Sequence, residues 1–169
     1  MSSTRRWCGG SRPYGRALMD PLSSLMLRAA LLWLLAGVVI GGAMLTDRAL
    51  PGQWVLWMAP SHAHILFVGW FLQFVVGVAY WLLPRKRTPA RPLGYPERAA
   101  FMAAGALNLG LALRVIAEPV ERIGQGNGAS LGLLAGSALL QIAAVLIFVA
   151  QLWPRVGPRP IRKRDEQPA

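Results

Sequence analysis

All the imidazole of this 169-residue chain sits in one short run, Pro60-Ser61-His62-Ala63-His64-Ile65-Leu66-Phe67-Val68-Gly69-Trp70. Two histidines two residues apart invite a metal reading, because neutral imidazole is the commonest protein metal ligand. Tetrahedral zinc asks for four N, S or O ligands. The chain offers two histidines, one distant cysteine, Cys8, and no carboxylate within its apolar runs. That single thiol also excludes an internal disulfide, a thiolate-held cluster and a CxxCH haem attachment, and Cys8 is assigned no role. Haem is less demanding, needing one or two axial ligands in an apolar slot, with glycine allowing a close approach to the backbone. His62 with Gly69 two turns further on meets that requirement. Gly69 could equally serve helix packing. Arg114 is a charge embedded deep in an apolar run, with Glu118 at i,i+4 as its ready partner and snorkelling to the interface as its ready escape. Paired catalytic carboxylates, a nucleophile triad and a phosphate-cradling glycine loop are all missing from the apolar runs, which argues against a complete enzyme.

The elements that must hold these residues follow from composition. Hydrophobic residues make up 54% of the chain and charged residues only 15%, with a formal net charge of +11; a typical soluble domain carries about 25% charged residues. The Arg residues come in clusters separated by apolar runs of roughly 20 residues, the pattern of a multi-spanning membrane protein. A soluble fold and a nucleic-acid binder, whose charge would lie on a polar solvated face, are excluded. Four segments can cross the bilayer: 25–45, 62–83, 99–117 and 131–153, bounded by Pro and Gly at Pro51-Gly52, Pro60, Pro84, Pro96, Pro119, 124–128 and Pro154. The expected architecture is an all-α integral membrane four-helix bundle over 24–154. A basic tail, 1–23, precedes it and a second basic tail, 155–169, follows.

Fourteen of the eighteen Lys and Arg lie in the two tails and the loop between the second and third segments, against Arg48 and Arg122 in the other two loops. Both termini and the middle loop are therefore expected on the cytoplasmic side of the cell membrane. Residues 1–18, rich in Gly, Ser and Arg, read as a disordered tail or an over-extended start. Arg5-Arg6 stands too far from the next apolar run for a twin-arginine signal, and the first run is too long for a cleaved leader.

With His62 at zero and about 100° per residue, Gly69, Gln73 and Tyr80 fall within about 20° of it, with Leu66 and Gly77 beside them. This small and polar stripe marks the bundle interior. His64 falls opposite, on an apolar stripe with Val68, Phe71, Val75, Val78 and Leu82 that is expected to face lipid or another subunit. Gly37/Gly41 and Gly132/Gly136 form GxxxG pairs that let helices approach. Trp54, Trp57, Trp81 and Trp153 read as interfacial anchors, and Asn108 as an interhelical hydrogen bonder.

His-Ala-His, Gly69-Trp70, Gly77-Val78-Ala79-Tyr80 and the closing Leu83-Pro84 resemble the second helix of the haem–copper oxidase subunit I superfamily. The likeness is to its cbb3-type and nitric-oxide-reductase-like branches and to small stand-alone relatives with a His-x-His…Gly-Trp helix. It covers about 25 residues. The resemblance implies a b-type haem bound by a histidine near the outer end of that helix, in the same sense as the orientation above. It also implies that Arg114 meets the haem propionates. The histidines that later helices supply to a complete oxidase are missing, so no copper site is expected. The resemblance leaves the iron ligand open between His62 and His64, and the stripe favours His62. The sixth position is empty, filled by a methionine such as Met44, or supplied by a second copy in a homodimer. The expected function is electron transfer, haem or gas sensing, or partnership in a respiratory complex. The alternative is a haem-free accessory or scaffolding subunit.

Overall fold

The structure, a computed structural model, describes residues 19–46, 53–85 and 87–157. Four helices run through it. Helix α1 is Pro21–Leu45. Helix α2 is continuous but changes winding: α-helical over Trp54–His64, π-helical over Ile65–Leu72, and α-helical again over Gln73–Leu82. Helix α3 is Glu97–Arg122, and α4 is Gly128–Leu152, closed by a 3₁₀ turn over Trp153–Arg155. No strand occurs among the described residues.

All four are long and apolar enough to cross a membrane, since 25 residues at 1.5 Å each reach about 38 Å against a hydrocarbon core of about 30 Å. Their outward faces carry Leu32, Leu35, Val38, Val39, Leu109, Ile116, Leu139 and Leu146, each more than half exposed. So much contiguous apolar surface is untenable in water and natural in lipid. The chain is a multi-pass membrane protein.

The ends follow local chemistry. Asp20 caps α1, its Oδ1 accepting from Leu22 N at 3.1 Å, with Pro21 in the first turn where no amide hydrogen is needed. Asn127 and Ser130 form a reciprocal capping box on α4. Helix α3 stops at Gly124, whose φ of +78° suits only glycine comfortably. Every helix starts before its expected segment, α2 by the most. It starts at Trp54, so His62 and His64 lie two turns inside it and not at its entrance. Pro60 does not stop the helix, because a proline costs only one bond where neighbouring helices brace the chain.

Helices α1 and α2 pack as one pair and α3 and α4 as another, with the N-terminal half of α2 lying against α3. A Cβ at Gly37 would lie 2.5 Å from Leu66 Cδ2, so the first GxxxG pair is spent on the α1–α2 contact. Gly110 brings α3 as close to α4, where a Cβ would stand 2.9 Å from Ser137 O. Gly132 and Gly136 have nothing within 4 Å, so the second GxxxG pair takes no part in packing this bundle. A buried core cluster gathers Leu22, Met26, Tyr80, Leu107 and Phe148.

Candidate functional site

The buried row of α2 is Ser61, Ile65, Gly69, Gln73, Gly77 and Tyr80, at four-residue steps until the last. Four residues of α-helix overshoot a full turn slightly; four residues of π-helix, closed by i→i+5 bonds, fall slightly short. The π segment therefore cancels the drift and holds that row on one side. The interior stripe thus passes through Ser61, with His62 half-buried beside it.

The two histidines diverge, as expected, but each reaches a different helix. His62 turns to α1, where a Cβ at Gly41 would lie 2.9 Å from its Cε1; its Nδ1 is buried without a hydrogen-bond partner among the described residues. His64 turns to α3. Its Nδ1 stands 2.8 Å from Pro60 O and 3.2 Å from Glu118 Oε1. His64 was expected on an apolar stripe facing lipid or another subunit; its side chain is 31% exposed, and its Nδ1 also reaches across the α2–α3 seam towards Glu118. Glu118 comes from another helix, so no periodicity within α2 could register it. Val68, expected on the same stripe, packs against the core, whereas Phe71 and Val75 remain exposed as expected.

Glu118 is the hub of this site. Its carboxylate, 11% exposed, accepts from Ser61 Oγ at 3.1 Å on Oε2 and from Arg114 Nε at 2.8 Å on Oε1, and His64 Nδ1 stands near the same Oε1. Arg114 thus makes the i,i+4 pair its spacing implied. A proton on His64 Nδ1 donates to Pro60 O, with Glu118 Oε1 beside it, and leaves Nε2 as a lone-pair donor. That nitrogen has no partner among the described residues. Beyond it along α2, Phe67, Phe71 and Val75 expose an apolar strip at four-residue spacing.

The space over Gly69 is not a slot. A Cβ there would lie 2.7 Å from both Leu111 Cδ2 and Trp33 Cγ, so those side chains fill the position and Gly69 serves helix packing. Trp33 Nε1 also donates to Asn108 Oδ1 at 2.8 Å, the interhelical bond expected of Asn108. The interior therefore does not fit a haem lying against Gly69. The outer face at His64 does fit one, having a free imidazole nitrogen, an apolar strip and a neighbouring guanidinium. No group of three or more His, Cys, Asp or Glu able to hold a metal ion occurs among the described residues. Met44 is half-buried in the last turn of α1; Cys8 and Arg48 lie outside the described residues.

Sequence reasoning missed a second cluster, at the opposite, basic end. Asp20, with its side chain fully buried, accepts from Arg85 Nη1 at 2.8 Å and from Tyr95 OH at 2.8 and 2.7 Å on its two oxygens. Tyr80 OH donates to Gln151 Oε1 at 2.8 Å, and Arg155 lies over both rings, 5.2 Å from Tyr80 and 5.1 Å from Tyr95. Burial first, then the hydrogen bond to Asp20, push the Tyr95 phenol above the usual tyrosine range. Asp20 immediately before Pro21 was a legible cap signal; its reach to residues 85 and 95 was not. Comparison with protein-family models, curated proteins and solved structures found no match to this chain.

Proposed function

We propose that this is a membrane haem-binding protein whose iron is held by Nε2 of His64, with a b-type haem on the exposed face of α2. The observation that carries the reading is the anchoring of His64 Nδ1 by Pro60 O and Glu118. Metal-bound imidazoles hand their second N–H to a carbonyl or carboxylate, which fixes the ring and raises its basicity. His62 has no such anchor, so the ligand role moves from His62 to His64. Arg114, fixed by the same carboxylate, is the cation available to propionates. When bound, the haem supplies one-electron chemistry and, at an open axial position, gas binding. The residues of the chain would orient the imidazole and keep the Nδ1 proton in place through Pro60 O, with Glu118 beside it.

His62 turns to another helix, so a second imidazole for the group would come from His64 of a second copy in a homodimer. Both termini and the 84–96 loop lie on the cytoplasmic side of the cell membrane in this reading, from the Lys and Arg distribution. The role is electron transfer, haem or gas sensing, or partnership in a respiratory complex, with no copper centre. One observation favours a second reading, a haem-free accessory or scaffolding subunit: the filled space over Gly69.

Absorption spectra of purified wild type, His62→Ala and His64→Ala, oxidised and reduced, decide between them. The Soret band is expected in wild type and His62→Ala and lost in His64→Ala. Loss confined to His62→Ala returns the ligand role to that residue. A colourless wild type expressed with ample haem hands the case to the accessory subunit.

A further inference from the structure

The loop between α2 and α3 is built, not slack. Thr88 and Arg91 exchange backbone hydrogen bonds at 3.2 and 2.9 Å, Gly94 N donates to Arg91 O at 2.9 Å, and Gly94 turns the chain at φ +82°. Leu93 N donates to Glu97 Oε1 at 3.3 Å, and Tyr95 is tied to Asp20. Between this loop and the first turn of α3 lies an open cavity of about 350 Å³, walled by Arg91, Pro92, Tyr95, Pro96, Glu97 and Arg98.

Its charges are unspent. Asp20 is taken by Arg85 and Tyr95, and Arg155 by the two tyrosine rings. Arg91 and Arg98 are exposed and form no ion pair among the described residues. Two guanidiniums therefore face one cavity, beside the N-terminus of α3 with its free backbone N–H groups. Glu97, also on the wall, is an acceptor for a hydroxyl. Directly beyond Arg98, Phe101 and Met102 expose apolar surface, 37% and 72%. An anion seated here has hydrocarbon surface continuing from it.

We propose that this cavity binds the headgroup of an anionic phospholipid, the phosphate between Arg91 and Arg98 and the acyl chains along Phe101 and Met102. A basic pocket among membrane helices is suited to such a headgroup, and the adjoining apolar strip selects a lipid over a free phosphate. The assignment is independent of the haem reading.

Native mass spectrometry of the full chain in detergent, titrated with phosphatidylglycerol and phosphatidylcholine of identical acyl chains, tests it. Wild type is expected to hold phosphatidylglycerol at least ten-fold more tightly. The double variant Arg91→Ala/Arg98→Ala is expected to lose about 30-fold, from two arginines at about 1 kcal/mol each and 1.4 kcal/mol per tenfold. Arg91→Lys/Arg98→Lys should keep most of the preference, and Arg87→Ala/Arg122→Ala all of it. Equal binding of the two lipids by wild type overturns the proposal, as does an equal loss in the Arg87/Arg122 control. Complete displacement of phosphatidylglycerol by millimolar inorganic phosphate would overturn it in favour of a soluble-anion site.

Discussion

Replacing Asp20 with alanine removes the acceptor on which three parts of the chain converge at the basic end. The carboxylate side chain is fully buried and Arg85 is 13% exposed, so the variant leaves a largely buried guanidinium with no counter-charge. Breaking one side of a buried ion pair costs about 3–5 kcal/mol. Loss of the α1 cap at Leu22 N, worth about 1 kcal/mol alone, falls within that range because the same carboxylate makes both contacts. At about 2–4 °C per kcal/mol for a chain of this size, Asp20→Ala is expected to lower the melting temperature by roughly 6–20 °C. Thermal unfolding in detergent followed by tryptophan fluorescence measures it. The companion Asp20→Ala/Arg85→Met removes both charges and should recover a large part of the loss, since the penalty lies in the orphaned cation and not in the missing attraction. A shift below 3 °C for Asp20→Ala, or no recovery in the double variant, would refute the reasoning and mean that water or lipid already screens the pair.

Gly69→Ala is expected to cost about 1–3 kcal/mol by overpacking against Trp33 and Leu111, whereas Gly132→Ala, with open space around it, should be neutral or stabilising by up to about 1 kcal/mol; chemical denaturation of both variants compares them. The raised phenol of Tyr95 makes the native state hold its proton where the unfolded chain releases it. Its stabilisation is therefore whole below the ordinary tyrosine range and lost as pH rises through and above it; melting temperatures between pH 8 and 11 should fall more steeply for wild type than for Tyr95→Phe. Single cysteines placed at Gly52 and Gly126 of a Cys8→Ser chain should react with an impermeant reagent from outside the cell, and one at Thr88 only after permeabilisation; the reverse pattern inverts the assigned orientation. If Arg114 meets propionates, Arg114→Leu should shift the spectrum or the midpoint potential of bound haem. Glu118→Gln should then also weaken haem retention about 10–100-fold through the imidazole it anchors.

The four apolar spans and the membrane class were legible in the chain itself, because hydrocarbon forces every backbone group into helices and leaves long apolar runs as the record; the start of α2 at Trp54, eight residues before the expected one, was not. Legible too were contacts between residues one turn apart, such as Arg114 with Glu118, and the need of Asn108 for a partner on another helix. What His64 does was not legible. An ideal α-helical wheel drawn on α2 alone cannot register the π segment over Ile65–Leu72, nor a carboxylate arriving from α3 more than fifty residues later. The same wheel left Gly69 open between a cofactor slot and helix packing, and it took Trp33 and Leu111, arriving from two other helices, to decide for packing. Asp20, Arg85, Tyr95 and Arg155 carry no shared spacing in the sequence, yet they converge at the basic end of the bundle. Periodicity reports which way a side chain leaves its own helix; only the packing of the helices decides what it meets there.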